Sequence, residues 1–156
     1  MSTTVQSDRL WFMDALVTIP VAHVDGKDGV SVVDATAPYG DSPPLHVHRN
    51  EDELFHVLEG ELRLHIGGRD VLLGAGETAL APQGVPHSYR VESVDGARWL
   101  VVTTKGDFER VVRTVSRPAE LAELPEPSGP PTQEQVDGLA AVCSACNIDL
   151  VGPPLS

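Results

Sequence analysis

Glycine and proline occur so often along most of this chain that they favour short strands joined by turns. The 14 glycines and 13 prolines separate β-rich runs at intervals of roughly eight to twelve residues. In residues 61–66, leucine and isoleucine alternate with charged or polar residues, so the apolar side chains share one face of a strand. Many short strands at even spacing favour an all-β sandwich or a closed barrel.

The β-rich runs predict a series of strands through the first two thirds of the chain and one more near its end. By residue number they are 16–19, 30–37, 45–48, 54–58, 61–66, 70–73, 77–81, 87–91, 98–104 and 148–151. Turn residues such as Gly60 and the pair Gly67 and Gly68 lie between them. A chain of 156 residues with this pattern is expected to form a single domain.

The composition changes after about residue 118. Residues 119–124 are predicted to form a short helix, and residues 125–131 a proline-rich connector, because consecutive prolines cannot continue a helix. Thr132 has the position of an N-cap, and a helix is predicted from there to about residue 146. Its apolar stripe consists of Val136, Leu139, Ala140 and Cys143. We therefore expect a barrel over residues 1–118, with its core motifs in 40–91, and a tail over 119–156 that packs on the barrel or on a partner subunit.

The charge of the chain narrows its partners. Eleven lysines and arginines stand against 23 aspartates and glutamates, which gives a net charge of −12 at pH 7. A chain this acidic repels phosphate backbones and anionic membrane surfaces. No apolar run approaches the roughly 20 residues of a membrane-spanning helix. We expect neither a nucleic acid nor a membrane as partner.

The two cysteines, Cys143 and Cys146, do not make a disulfide framework. They spell a C-x-x-C motif near a predicted helix end rather than at a helix start, so a structural role is expected. Asp8, Arg9 and Asp14 interrupt the most apolar part of the first twenty residues, which argues against a signal peptide. A cytoplasmic location is therefore expected.

Four residues form a pattern that suits a metal ion. His46 and His48 are two apart, so both imidazoles point the same way on a strand. Glu53 follows a short polar turn, and His87 follows a separate glycine- and proline-framed turn. Three imidazoles and one carboxylate suit Mn, Fe, Co, Ni, Cu or Zn. On a five- or six-coordinate ion these ligands leave positions open for water, substrate or dioxygen. The other histidines, His23, His56 and His65, are not expected to take part.

These residues resemble the two motifs of the cupin superfamily. The first motif, G(X)5HXH(X)3–4E(X)6G, is matched by Gly40, His46, His48, Glu53 and Gly60. The second, G(X)5PXG(X)2H(X)3N, is matched by Gly76, Pro82, Gly84 and His87, with Val91 in place of the final asparagine. The resemblance implies a jelly-roll, or double-stranded β-helix, barrel with a short C-terminal helical tail.

Residues 44–53, 55–61 and 82–89 are similar to small single-domain cupins grouped with quercetin 2,3-dioxygenase. That resemblance implies that His46, His48, Glu53 and His87 hold one divalent metal, with Ni, Mn, Fe or Co ahead of Cu or Zn. It implies that a flavonol binds the metal through its 3-oxygen and that dioxygen cleaves the heterocycle with loss of carbon monoxide. Glu53 would also be the catalytic base. A homodimer is expected as well.

Strand parity predicts which side chains line the site. If Glu53 and His87 point inward, Phe55 and Tyr89 do too, and they are candidates for binding an aromatic substrate, with barrel core as the alternative. Trp99 and Phe108 are further candidates. The leading hypothesis is a metal-dependent dioxygenase for a flavonol or a related enolizable aromatic or polyketide-like compound. The alternatives are a non-oxidative metal cupin, such as an isomerase, cyclase or decarboxylase, and a non-enzymatic small-molecule binding cupin.

Overall fold

The computed structural model describes residues 8–23 and 27–156. Strands dominate this part of the chain, and two helices follow the main run of strands. The elements, in chain order, are β1 (Leu10–Phe12), β2 (Ala15–Val21), β3 (Ser31–Ala37), β4 (Leu45–His48), β5 (Glu53–Glu59), β6 (Leu62–Ile66), β7 (Arg69–Leu73), β8 (Thr78–Ala81), β9 (His87–Val91), β10 (Ala97–Thr103), α1 (Asp107–Val115), β11 (Arg117–Pro118), α2 (Gln133–Ala145) and β12 (Ile148–Gly152).

The strands form two antiparallel sheets. One has seven strands in the order β11-β1-β2-β3-β10-β5-β8, and the other has five in the order β12-β4-β9-β6-β7. The main apolar core contains side chains from both sheets, such as Val33 and Phe55 from the first and Leu64 and Val91 from the second. The prediction of an all-β jelly-roll barrel with a short C-terminal helix is confirmed.

Alternation along the strands produces this core. In β5, the residues Glu53, Phe55 and Val57 are buried, while the residues between them are only partly covered. Leu62 and Leu64 of β6 are completely buried. Each fully buried leucine, valine or phenylalanine stabilises the fold by about 1.5–3 kcal/mol. The period-2 pattern therefore determines which face of each strand turns inward.

Gly60 makes the turn that carries the chain from β5 in one sheet to β6 in the other. Its φ of 77° lies in the left-handed region that favours glycine. A Cβ atom there would lie 2.5 Å from the carbonyl oxygen of Gly96 and 2.5 Å from Oγ of Ser93. No other residue fits this close approach without movement of the neighbouring loop.

The helices differ from the sequence prediction in two places: one predicted helix is absent, and one observed helix was not predicted. Residues 119–124 are not helical, because their backbone bonds to the start of the chain instead. The Ala119 amide donates to the Arg9 carbonyl, and Trp11 Nε1 donates to the Glu123 carbonyl. Helix α1 was not predicted at all. Its valines are β-branched and favour strands, although Phe108 and the valines at 111, 112 and 115 have helical spacing.

The tail folds back on the rest of the chain. Thr132 caps α2 as predicted: its Oγ1 accepts from the Gln135 amide at 3.2 Å, and Gln135 Oε1 accepts from the Thr132 amide at 2.8 Å. The stripe prediction is wrong at Val136, which is exposed because the first turn of α2 extends beyond the packed region. Strand β12 pairs with β4, placing Leu150 opposite His46. Within the described residues, neither helix is long and apolar enough to cross a membrane.

Candidate metal centre

Four side chains from both sheets converge inside the barrel. His46 and His48 lie on β4, His87 opens β9, and Glu53 opens β5 in the other sheet. His46 and His87 are direct partners in the β4–β9 pairing. All four residues are buried, and one potential ligand atom from each lies within 4.8 Å of the others. The structure thus brings together the four residues that the sequence predicted.

One carboxylate oxygen is the focus of the cluster. Oε2 of Glu53 lies 2.6 Å from Nε2 of His87, 2.9 Å from Nε2 of His48 and 3.8 Å from Nε2 of His46. The strand geometry favours this shared approach of three Nε2 atoms to one oxygen. His46 and His48 are two apart and therefore point the same way, and His87 lies opposite His46 in the β4–β9 pairing.

Backbone carbonyls determine which nitrogen of two imidazoles faces the cluster. Nδ1 of His46 lies 2.7 Å from the Pro44 carbonyl oxygen, and Nδ1 of His87 lies 3.0 Å from the Val85 carbonyl oxygen. A carbonyl only accepts hydrogen bonds, so each Nδ1 carries the proton and donates it. Each Nε2 is then left with a lone pair directed into the cluster, as in a metal-ligating histidine.

The donor set fits a cation. Lone pairs on imidazole nitrogens and a carboxylate oxygen repel one another at these distances unless positive charge lies among them. The pKa values express the same demand: although burial opposes it, Glu53 and Glu51 raise the pKa of His48 to about 10. Although burial raises the pKa of Glu53, the charge of His48 and the close approach of the three imidazoles hold it well below its usual value. This cluster could hold one divalent transition metal ion, and nitrogen and oxygen ligands suit several of them.

Glu51 supports the cluster from behind, and the sequence did not reveal it. Its Oε1 accepts from Nδ1 of His48 at 2.9 Å and from the Phe108 amide at 2.9 Å, and its Oε2 accepts from the Asp107 amide at 3.2 Å. This buried carboxylate therefore orients His48 and satisfies two free amides at the start of α1. The position of Glu51, three residues after His48, could have indicated this role, but the turn that contains it was interpreted only as a connector.

A cavity opens from the cluster and has mostly apolar walls. His46, His48 and Glu53 line it, together with the two predicted substrate residues, Phe55 and Tyr89. The ring centroids of Phe55 and Tyr89 are 6.1 Å apart, in an edge-to-face arrangement. Both candidates therefore line the cavity as well as belonging to the barrel core.

Two more cavity residues stand out by their polarity. Asp41 lines the cavity, and its Oδ2 accepts a hydrogen bond from the Tyr89 hydroxyl. Trp99 also lines the cavity, and its Nε1 is buried without an acceptor among the residues that the structure describes. The sequence analysis gave Trp99 only as a further aromatic candidate for the site and did not predict Asp41.

The remaining histidines and the cysteines lie outside the cluster. His56 pairs with Thr78 and His65 with Asp70, both at the surface. Cys143 and Cys146 are buried, free thiols in a small second core with the side chains of Val111 and Ile148. Burial raises the pKa of Cys143 to about 11, which keeps this thiol protonated and unreactive at neutral pH.

Comparisons with known proteins agree with this architecture. A family model described as a cupin domain matches residues 33–103. Quercetin 2,3-dioxygenase of Bacillus subtilis (strain 168) is 31% identical over 152 residues, which are 97% of this chain and 45% of that protein. The chain spans less than half the length of the curated relatives that it matches.

Solved structures share the fold at lower identity. KdgF from Halomonas sp. superposes with a TM-score of 0.58 at 16% identity, over 70% of this chain and 98% of that one. The polyketide cyclase RemF from Streptomyces resistomycificus has a TM-score of 0.51 at 24% identity, over 80% of this chain and 83% of that one. These likenesses show a common barrel.

Proposed function

Because this chain is a cupin that resembles quercetin 2,3-dioxygenase, we propose that it is a metal-dependent dioxygenase. Its substrate would be a flavonol or a related enolizable aromatic or polyketide-like small molecule, which it cleaves with dioxygen. The observation that supports this best is the identity of 31% with that enzyme across 97% of the chain. The complete set of His46, His48, Glu53 and His87 beside an apolar cavity fits the same chemistry.

The four residues of the cluster would hold the metal. A divalent ion there would act as a Lewis acid toward an oxygen atom of the substrate. The three imidazoles crowd Oε2 of Glu53, whereas its Oε1 forms no hydrogen bond or ion pair among the described residues. Oε1 is therefore the atom at which Glu53 would accept the proton of an enolic hydroxyl group. In this role Glu53 is both ligand and catalytic base.

The walls of the cavity suit an aromatic substrate. The aromatic rings of Phe55 and Tyr89 line the cavity, together with the aliphatic side chains of Val17, Val33 and Val101. Such walls exclude water, which strengthens electrostatic interactions at the cluster. Phe55 and Tyr89 would thus orient the substrate and keep the reacting oxygen near Glu53.

The experiment that tests the proposal is oxygen uptake with quercetin. The protein is stripped of metal and reloaded separately with Ni, Co, Mn, Fe, Cu and Zn. We expect at least one metal to support stoichiometric consumption of dioxygen and flavonol with release of carbon monoxide. Binding of every metal without turnover of quercetin would refute the flavonol assignment and leave the metal site intact.

A second candidate is a non-oxidative reaction, such as isomerisation, cyclisation or decarboxylation. Asp41 favours it, because burial raises the pKa of this cavity carboxyl to about 6, where it can exchange a proton near neutral pH. Such a reaction would proceed under argon, whereas the dioxygenase requires dioxygen. Turnover with the redox-inactive zinc ion would also favour the non-oxidative reaction.

We further propose that the chain acts as a homodimer in the cytoplasm. Light scattering after size-exclusion chromatography tests the assembly, since a dimer has twice the mass of the 16.7 kDa chain. Fractionation of expressing cells tests the location.

A further inference from the structure

The cavity has a second polar region besides the metal ligands. Among its lining residues, the other polar side chains are Asp41, Ser42, Tyr89, Trp99 and the thiol of Cys143. The Ser42 hydroxyl already accepts from the Leu155 amide at 3.0 Å. Asp41 and Trp99, by contrast, retain unused hydrogen-bonding capacity, and both adjoin Tyr89.

The backbone of Asp41 is firmly anchored, but its carboxylate accepts few hydrogen bonds. Its backbone is anchored on both sides, since its amide donates to Pro38 at 3.1 Å and its carbonyl accepts from the Val91 amide at 3.0 Å. In the described part of the chain, the carboxylate receives only one hydrogen bond, from the Tyr89 hydroxyl at 3.3 Å. Burial raises the pKa of Asp41, because the surrounding protein stabilises its charged form less well than water does.

Trp99 presents the complementary group. Its side chain is 1% exposed, and Nε1 has no acceptor within the ranges 8–23 and 27–156. Buried N–H groups in native proteins nearly always have an acceptor. The Trp99 ring packs edge-on against Tyr89, with centroids 5.0 Å apart. An unpaired donor and an underused acceptor therefore flank one tyrosine.

This second region lies away from the metal ligands. Tyr89 follows His87 by two residues on β9, which is about 7 Å along a strand. The ring of Phe55 packs near both, with its centroid 6.1 Å from that of the His87 ring and 6.1 Å from that of the Tyr89 ring. A ligand that reaches both regions therefore needs an apolar body with oxygen atoms at both ends.

We propose that Asp41 and Trp99 bind the polar end of the substrate that is remote from the metal. A substrate hydroxyl group donates to Oδ1 of Asp41, and a substrate oxygen accepts from Nε1 of Trp99. Hydroxyl groups suit this region because they both donate and accept. This assignment rests on the dioxygenase function proposed above and narrows its substrate class to aromatic compounds that carry a distal hydroxyl group.

Binding without turnover tests the assignment. Calorimetric titration of the metal-loaded protein under argon compares quercetin with 3-hydroxyflavone, which lacks the distal hydroxyl groups. A second pair, 2-naphthol and naphthalene, probes the same preference without a flavonol. The variants are Asp41→Asn, which keeps the shape of the side chain, and Trp99→Phe, which keeps an aromatic ring. Asp28→Asn is the control, because it removes one charge from a fully exposed side chain.

We expect the wild-type protein to bind quercetin roughly 10- to 100-fold more tightly than 3-hydroxyflavone, as for a hydrogen bond to a charged group. Asp41→Asn should lower that preference about tenfold and Trp99→Phe about threefold, while Asp28→Asn leaves it unchanged. A preference that survives in Asp41→Asn overturns the assignment.

The naphthol pair separates the two proposals. If neither flavonol binds but 2-naphthol is preferred over naphthalene and Asp41→Asn removes that preference, the flavonol function fails and the polar region stands. If the naphthol preference is absent or unchanged in Asp41→Asn, the polar region fails as well.

Discussion

The two ends of the cavity are built in opposite ways. At the metal end, formed by His46, His48, Glu53 and His87, the protein provides a partner for the Nδ1 atom of every imidazole. At the opposite end, which we propose binds the substrate and call the substrate end, Asp41, Tyr89 and Trp99 share one hydrogen bond of 3.3 Å, and the indole N–H has no acceptor among the described residues. The described residues leave the polar groups of the second end largely for a ligand to satisfy.

This difference separates two kinds of preorganisation. Outer hydrogen bonds hold metal ligands in one tautomer and one orientation before the ion binds. A substrate site instead keeps polar atoms whose partners come with the substrate, which lets it reject compounds that lack those groups. Changes at the metal end should therefore abolish function, while changes at the substrate end should alter selectivity and stability.

The largest effect is expected from His46→Ala. Loss of one imidazole from the ligand set should weaken metal binding by about 100-fold or more and abolish oxygen uptake. Metal content after dialysis, measured by mass spectrometry, checks this. His56→Ala removes a surface histidine that pairs with Thr78 and should retain the metal. Full metal content in His46→Ala would contradict the assignment of His46 as a metal ligand.

Glu53→Gln should lower activity further than it lowers metal content. The amide keeps an oxygen ligand but cannot accept the substrate proton, and a catalytic base contributes about 10²- to 10⁴-fold to the rate. The comparison is made at saturating metal, with content and oxygen uptake measured on the same sample. Equal losses of content and activity would mean that Glu53 is a ligand only.

Glu51→Gln should have a smaller effect of two kinds. Weakening the hydrogen bond that orients His48 should lower metal affinity by about 10- to 100-fold. Loss of charge at the start of α1 should cost about 1 kcal/mol in the free energy of unfolding. Competition with a chelator and chemical denaturation measure the two effects. Glu61→Gln, at an exposed position between β5 and β6, serves as the control, and equal behaviour of both variants would contradict a supporting role.

The smallest effect is a gain in stability from Asp41→Asn. Burial raises the pKa of Asp41 from 3.8 to about 6, the Tyr89 hydrogen bond opposes the rise, and the charge of Asp14 adds to it. Between these two pKa values, Asp41 stays protonated in the folded state but is ionised in the unfolded chain. Its ionisation therefore destabilises the fold as pH rises. Above pH 6, the free energy of unfolding of the variant should exceed that of wild type by about 1–2 kcal/mol, a figure that is reduced because Asp41 is partly exposed to solvent.

Chemical denaturation of both proteins at pH 5 and pH 8 checks this gain. The difference in the free energy of unfolding should be larger at pH 8, whereas Asp28→Asn should show no such dependence. A constant difference would mean that Asp41 is well solvated, and the contrast between the two ends of the cavity would weaken.

The metal end could be predicted from sequence because its information is local. The spacing of two residues between His46 and His48 places both imidazoles on one face of β4, and strand alternation places Phe55 on the same side as Glu53. The capping box of α2 could be predicted for the same reason, since Thr132 and Gln135 interact within one helical turn. Such features need only a few consecutive residues.

Other features needed contacts between distant parts of the chain. Residues 119–124 have helical composition, but the backbone at Ala119 and Glu123 bonds to residues near the start of the chain. Helix α1 has β-branched residues and forms against the second core, with Glu51 accepting from its first amides. Packing and capping from remote residues outweighed local propensity in both cases.

By itself, the sequence determined the all-β barrel, the four candidate ligands and their inward orientation, because strand periodicity and motif spacing are local properties. Only the tertiary structure decided that Glu51 stands behind His48 and that Asp41 and Trp99 adjoin one tyrosine. Asp41 and Trp99 are 58 positions apart and lie in different parts of the barrel. Their proximity follows from the folding of two sheets around one core, which no short pattern of residues encodes.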